Sequence, residues 1–104
     1  MELKNGASLG EIQDYIRSVL MERGFDDETV VEKCLLLGEE IGELYKAVRK
    51  SQGVKCDDSS KFGKVEHELA DILMYVADIA NKFGIDLEEA LRSKEEVNKQ
   101  RSWK

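Results

Sequence analysis

Apolar residues recur along this chain at helical rather than alternating spacing, most densely between Val65 and Phe83. At about 100° per residue, Val65, Leu69, Ile72, Leu73, Val76, Ile79, Ala80 and Phe83 fall on one broad face. Ala70, Met74, Tyr75 and Ala77 widen it, leaving little of the middle of this segment polar. A helix apolar on most sides is an interior helix. An earlier segment carries a narrower stripe of Leu37, Ile41, Leu44 and Val48, joined by Cys34 and Tyr45. The pattern predicts an all-α chain of four helices. The first follows Ser8, where Ser8-x-x-Glu11 reads as a capping box, and stops at Gly24. The second follows Asp26-Asp27 and runs through Lys50, ending before Gly53. Beyond the polar stretch from Gln52 to Ser60, the third covers Lys61 to Phe83 and ends at Gly84. Asp86-x-x-Glu89, a second capping-box pattern, opens the fourth, which reaches about Arg101. Short connections imply antiparallel neighbours, so the expected architecture is an antiparallel four-helix bundle in a single domain over residues 1–104.

The polar residues that interrupt the two apolar segments are acidic. Glu39-Glu40-x-x-Glu43 is followed, after 24 intervening residues, by Glu68-x-x-Asp71. Residues three and four apart stack on one side of a helix, so Glu40 points with Glu43, and Glu68 with Asp71. If the two segments pair antiparallel, both clusters face one cavity. Carboxylates crowded in that way raise one another's pKa and resist joint ionisation without a cation. On the third segment Glu68, Asp71 and Asp78 share one edge, with Lys64 the main basic residue within a turn of them. Such acids are rarely buried alone, so a metal ion or an inter-helix salt bridge must compensate them. A hard divalent ion with oxygen ligands, above all Mg2+, meets that need. The competing reading of Glu39, Glu40 and Glu43 is a solvated face supported by Lys46, Arg49 and Lys50. Against it, Leu36 and Ala47 flank the Glu40–Glu43 edge, and Ala47 is small enough to leave room for a bound group.

Composition narrows the function classes. A net charge of −6 and a pI near 4.9 argue against nucleic-acid binding, which needs a basic footprint. No run of eighteen apolar residues exists, so no membrane span is expected, and the opening MELKNGASLGE lacks the apolar core of a secretory signal. Cys34 and Cys56 show neither metal nor redox spacing, which reads as a reduced, cytoplasmic protein.

The stretches LLLGEEIGELYKAV, EHELADILMYVADIANKFGIDLEEAL and KEEVNKQRSW together resemble the MazG-like, all-α nucleoside triphosphate pyrophosphohydrolases. The likeness runs from about Thr29 to Trp103 and rests on EExxE, then ExxD, then a closing Lys-x-x-x-Asn-x-x-Arg segment at Lys94, Asn98 and Arg101. It implies hydrolysis of a (d)NTP to the monophosphate and pyrophosphate, as house-cleaning or pool control, with Mg2+ as cofactor and Mn2+ as a substitute. Carried over by position, Glu40, Glu43, Glu68 and Asp71 become metal ligands. Glu39 becomes a ligand or the group that orients the attacking water, which makes Glu39 and Glu40 the catalytic pair. Lys94, Asn98, Arg101 and Trp103 become substrate contacts. Relatives of this size form homodimers or homotetramers with the nucleotide site completed between chains, and a third helix apolar nearly all round also calls for cover from a second chain. The base-binding walls are expected in the first helix and the loops. Two alternatives stay open: a phosphoribosyl-ATP pyrophosphohydrolase of the same superfamily, whose ending differs, and a non-catalytic helical interaction module. His67 reads as exposed, Tyr75 as core or interface packing, Asp78 as a supporting residue or cap, and Gly38 as a costly mid-helix glycine that either permits close helix approach or is incidental.

Overall fold

A computed structural model of the chain describes residues 2–55 and 63–103, which form four helices: α1 Leu9–Glu22, α2 Val30–Ser51, α3 Val65–Lys82 and α4 Leu87–Lys99. The capping residues explain each start. Ser8 accepts from the Glu11 amide at 3.1 Å while Glu11 accepts from the Ser8 amide at 3.0 Å, closing the expected box. α2 begins later than expected after Asp26-Asp27, because Thr29 and Glu32 form a second reciprocal box there. α3 starts at Val65 with Lys64 as a cap that has no side-chain hydrogen bond; Lys61, at the expected start, lies outside the described residues, as do Cys56 and the second half of the Gln52–Ser60 stretch. Asp86 caps α4 by accepting from the amides of Glu88 and Glu89. α4 ends at Lys99, short of Arg101. Gly24 and Gly84, at φ 78° and 66°, supply the left-handed residues that stop α1 and α3.

Helices α2 and α3 form an antiparallel hairpin: Lys33 meets Asp78 and, two turns on, Glu40 meets Asp71. α1 lies against α3 and α4 against α1. One buried amide joins all three. Gln13 donates through Nε2 to Asn81 Oδ1 at 3.1 Å and to the Ile85 carbonyl at 2.8 Å, and its Oε1 accepts from the Leu87 amide at 2.9 Å. The fully buried apolar residues are Ile16, Val19, Ala47, Ala77 and Ala80, so the core is small and centred on the α1–α3 contact and the α2–α3 seam.

The burial corrects part of the expected stripe. On α2 the buried residues are Lys33 and Ala47, whereas Cys34, Tyr45 and Val48 are exposed. Ala47 is itself buried, at 4% exposure. α3 is not fully interior either, since Leu69 remains 52% exposed and Leu73 is also open. The cause is placement: α4 covers α1 and contributes no buried residue, so one side of the hairpin has no helix over it.

Glu11 also gives the fold an acid-sensitive element. A hydrogen bond from Lys4, at 2.8 Å, and the Ser8 amide and hydroxyl bring its pKa from 4.5 to about 2. A carboxyl depressed in the folded state contributes stability above its unfolded pKa and loses it as pH falls through the folded value. Glu11→Gln is expected to flatten the decline in melting temperature between pH 4.5 and about 2. Parallel thermal melts of the two proteins across that window check this; curves of identical slope would refute it.

Candidate active site

The antiparallel hairpin places Glu40 of α2 opposite Glu68 and Asp71 of α3, with carboxylate oxygens all within 4.8 Å of one another. Glu68 is buried; Glu40 and Asp71 are partly so. None of the three has a Lys or Arg partner among the described residues, Lys64 included. Burial first, then the charges of Asp71 and Glu68, push the Glu40 pKa above 4.5, with a Glu68 hydrogen bond and the Glu43 charge adding to the effect. A set of oxygen donors under mutual repulsion, with no cationic partner among the described residues, fits a hard divalent ion.

The other acids stand apart from this trio. Glu43 is near enough for Glu40 to feel its charge, yet it pairs with Lys46 at 3.6 Å. Glu39 is exposed. Asp78 is resolved as an inter-helix salt bridge: its Oδ2 lies 2.6 Å from Lys33 Nζ, which also donates to the Phe25 carbonyl at 2.9 Å and to Glu28 Oε1 at 3.0 Å. The Asp78 contact is an ion pair lying off the hydrogen-bond direction, and Lys33 is 1% exposed. Burial disfavours the charge of Lys33, but Asp78 and Glu28 more than offset that, and its pKa is raised above 10.5.

Beside the trio lies a cavity of about 340 Å³ that touches Glu40 and Asp71. Leu20, Phe25, Leu36, Met74 and Tyr75 supply its apolar wall, and Arg23, Glu28, Lys33 and Asp78 its polar one. Tyr75 is thus a cavity residue; burial, then the charges of Glu40 and Glu28, raise its phenol above 10. The wall draws on α1 and the α1–α2 connection. Lys94, Asn98, Arg101 and Trp103 do not reach this cavity within the protomer. Lys94 is exposed, Asn98 donates to Glu95 at 3.0 Å, Arg101 lies past the end of α4, and Trp103 is 73% exposed. His67 is exposed, as expected.

Lys33, Glu28 and Gly63 escaped the sequence reading. Lys33 stands one turn before Leu37 on the α2 stripe, and a lysine at a core-stripe position was the available signal. Glu28 lies between helices, where no periodicity marks it. At Gly63 an added Cβ would collide with the Glu68 carboxylate. Gly63→Ala is expected to shift Glu68 out of the trio and weaken Mn2+ binding about 10- to 100-fold, as loss of a supporting contact does. Calorimetric Mn2+ titration is the check, and an unchanged Kd would refute the collision.

An all-α hairpin that gathers carboxylates into a cation-binding cluster beside an apolar cavity defines the class. Residues 28–102 match the MazG nucleotide pyrophosphohydrolase domain, and the chain belongs to that family. It is 35% identical over 65 residues to the dATP/dGTP diphosphohydrolase of Cyanophage S-2L, a match covering 62% of this chain and 50% of the phage protein. The chain thus spans half the length of that relative. Among solved structures it is similar to the Cyanophage S-2L MazG-like pyrophosphohydrolase bound to dGDP and three catalytic Mn2+ ions per active site. That likeness has a TM-score of 0.72 at 29% identity, over 97% of this chain and 87% of the phage chain. The N-tagged iMazG from Vibrio DAT 722 aligns with a TM-score of 0.67 at 30% identity, over 94% of this chain and 100% of its own. No helix among the described residues is long and apolar enough to cross a membrane.

Proposed function

We propose that the protein hydrolyses (d)NTPs to the monophosphate and pyrophosphate with Mg2+, or Mn2+ in its place, in house-cleaning or pool control. The observation that carries this reading is the trio of Glu40, Glu68 and Asp71, without a cationic partner among the described residues, of which Glu40 and Asp71 line a cavity suited to a small ligand. The relatives add their weight: the phage structure holds dGDP and Mn2+, and the phage homologue is a dATP/dGTP diphosphohydrolase.

Glu40, Glu68 and Asp71 would hold the metal, and Glu43 would join them by releasing Lys46. When bound, divalent ions supply the positive charge that screens the phosphates and stabilises the charge developing as water attacks. Glu39, exposed and next to Glu40 in the chain, orients that water. Glu40, a ligand at the same place, shares this task.

Lys94, Asn98, Arg101 and Trp103 lie on or beyond α4, away from the cavity of their own protomer, so they act on substrate in an oligomer. Exposed apolar residues on both helices of the hairpin support a homodimer or homotetramer: Val31, Leu35 and Tyr45 on α2 and Leu69 and Leu73 on α3, Leu35 at 67%. Gly38 and Gly42, on the same side of α2, have no neighbour within 4 Å of an added Cβ, as expected of positions left for another helix. Lys94→Ala and Asn98→Ala should each raise KM for the triphosphate about 10-fold with little change in melting temperature, as loss of a charged hydrogen bond does. Steady-state kinetics beside thermal melts test this, and an unchanged KM and kcat would return the segment to a solvated helix end.

The direct test is a panel of standard and modified (d)NTPs with Mg2+, products identified by phosphorus NMR. Monophosphate plus pyrophosphate, abolished by chelation, is the expected result. Turnover of no member overturns the proposal.

A further inference from the structure

We propose that Glu28 reads the base of the nucleotide, accepting hydrogen bonds from adjacent N–H donors such as the N1–H and 2-amino group of guanine. This rests on the nucleotide-hydrolysing reading of the same site. The cavity joins two kinds of wall, the metal-binding acids Glu40 and Asp71 and the polar group around Glu28. At about 340 Å³ it is near the small end of the roughly 300–1,000 Å³ usual for small-molecule sites. That volume suits a base and sugar, with the phosphates at the acids. The side chains of Phe25, Met74 and Tyr75 offer flat or pliable apolar surface to a ring.

Recognition then depends on which polar groups are uncommitted. Lys33 donates to the Phe25 carbonyl and to Glu28 Oε1 and is ion-paired with Asp78 Oδ2 at 2.6 Å. At 1% exposure it is committed to these groups and closed to a ligand. Asp78 is 8% exposed and turned to Lys33. Glu28 differs: its side chain is 26% exposed, and among the described residues only its Oε1 has a partner. An ionised carboxylate only accepts, so this wall calls for N–H groups on the ligand. Two neighbouring donors match its two oxygens best. Arg23, on the same cavity and with no hydrogen bond from its guanidinium among the described residues, supplies donors for a ring carbonyl. Lys33 acts as a positioning residue that anchors Glu28 through its Oε1.

The same geometry dictates the decisive substitution. In Glu28→Gln, Lys33 can donate only to the amide oxygen, which leaves the NH2 group as the free end. An acceptor becomes a donor with almost no change of shape.

The experiment measures calorimetric binding of dGMP and of dIMP, which lacks the 2-amino group, in Mg2+, together with kcat/KM for dGTP, dITP and 7-deaza-dGTP. The wild type is expected to prefer dGMP over dIMP by about 10- to 100-fold, the weight of a hydrogen bond to a charged acceptor. It should treat 7-deaza-dGTP, which keeps both donors, like dGTP. E28Q should bring the dGMP/dIMP ratio close to one, and a ratio taken within one protein is insensitive to partial unfolding. Equal wild-type binding of dGMP and dIMP overturns the proposal, and so does a ratio that survives in E28Q. Either result alongside active hydrolysis sinks this assignment alone. Absence of hydrolysis of any nucleotide removes the functional reading and this inference with it.

Discussion

Replacing Lys33 by methionine is expected to destabilise the fold by about 3–5 kcal/mol, the cost of breaking a buried ion pair from one side. For a domain of this size that lowers the melting temperature by at least about 12 °C. Methionine keeps most of the aliphatic stem, so the loss is chiefly electrostatic. It strands Asp78, already 8% exposed and lacking a directed hydrogen bond, in the α2–α3 seam with Glu28 close by. A second variant separates charge from packing. In Lys33→Met/Asp78→Leu no buried charge remains between the helices, and most of the lost stability should return, because an apolar pair of similar volume commonly replaces a buried ion pair without cost. Differential scanning calorimetry of the two variants decides the matter. A single variant that melts within about 5 °C of the wild type would show that solvent already reaches this pair.

Glu40→Gln and Asp71→Asn are each expected to lower hydrolysis by more than about 100-fold. Loss of a group that merely supports a ligand costs about 10- to 100-fold, and these residues would be ligands themselves. The helical signal should persist, since neither residue caps a helix or fills the core. Metal-free Glu40→Gln should melt higher than the wild type, because burial and the neighbouring Asp71 and Glu68 already disfavour the Glu40 charge. The order should reverse in saturating Mn2+: a ligand at 100 times its Kd adds about 2.7 kcal/mol to a protein that binds it, and the variant forgoes that gain. Near-full activity in either variant would remove the trio from the reaction.

These two outcomes also show what was legible before the fold was known. Glu40, Glu68 and Asp71 could be read because their spacing sets them on helix faces, and because carboxylates within apolar segments demand compensation. The helix limits followed from short-range chemistry at Ser8, Asp86, Gly24 and Gly84. The start of α2 was misplaced because Asp26 and Asp27 imitate a cap, while the reciprocal pair is Thr29 with Glu32. Burial was less accessible. Periodicity ranks positions around one helix but does not say which neighbour covers them, so Tyr45 and Val48 were assigned to a core that the hairpin does not provide. Lys33 is the opposite case, since its burial depends on Asp78, 45 positions away in the chain. Glu28 needed the cavity before it meant anything.

The amide of Gln13 has a mechanical consequence. It fixes the turn between α3 and α4 through three hydrogen bonds at the base of α4. α4 has 13 residues and, at 1.5 Å each, extends about 20 Å from that pivot. It is therefore a lever arm held at one end. A tilt of about 5° at the pivot would carry its tip nearly 2 Å along an arc, and a misplacement of about 1 Å can cost 100-fold in rate. Substitutions around Gln13, outside the acidic trio, would then detune the reach of Lys94, Asn98 and Arg101 while leaving Glu40, Glu68 and Asp71 where they stand.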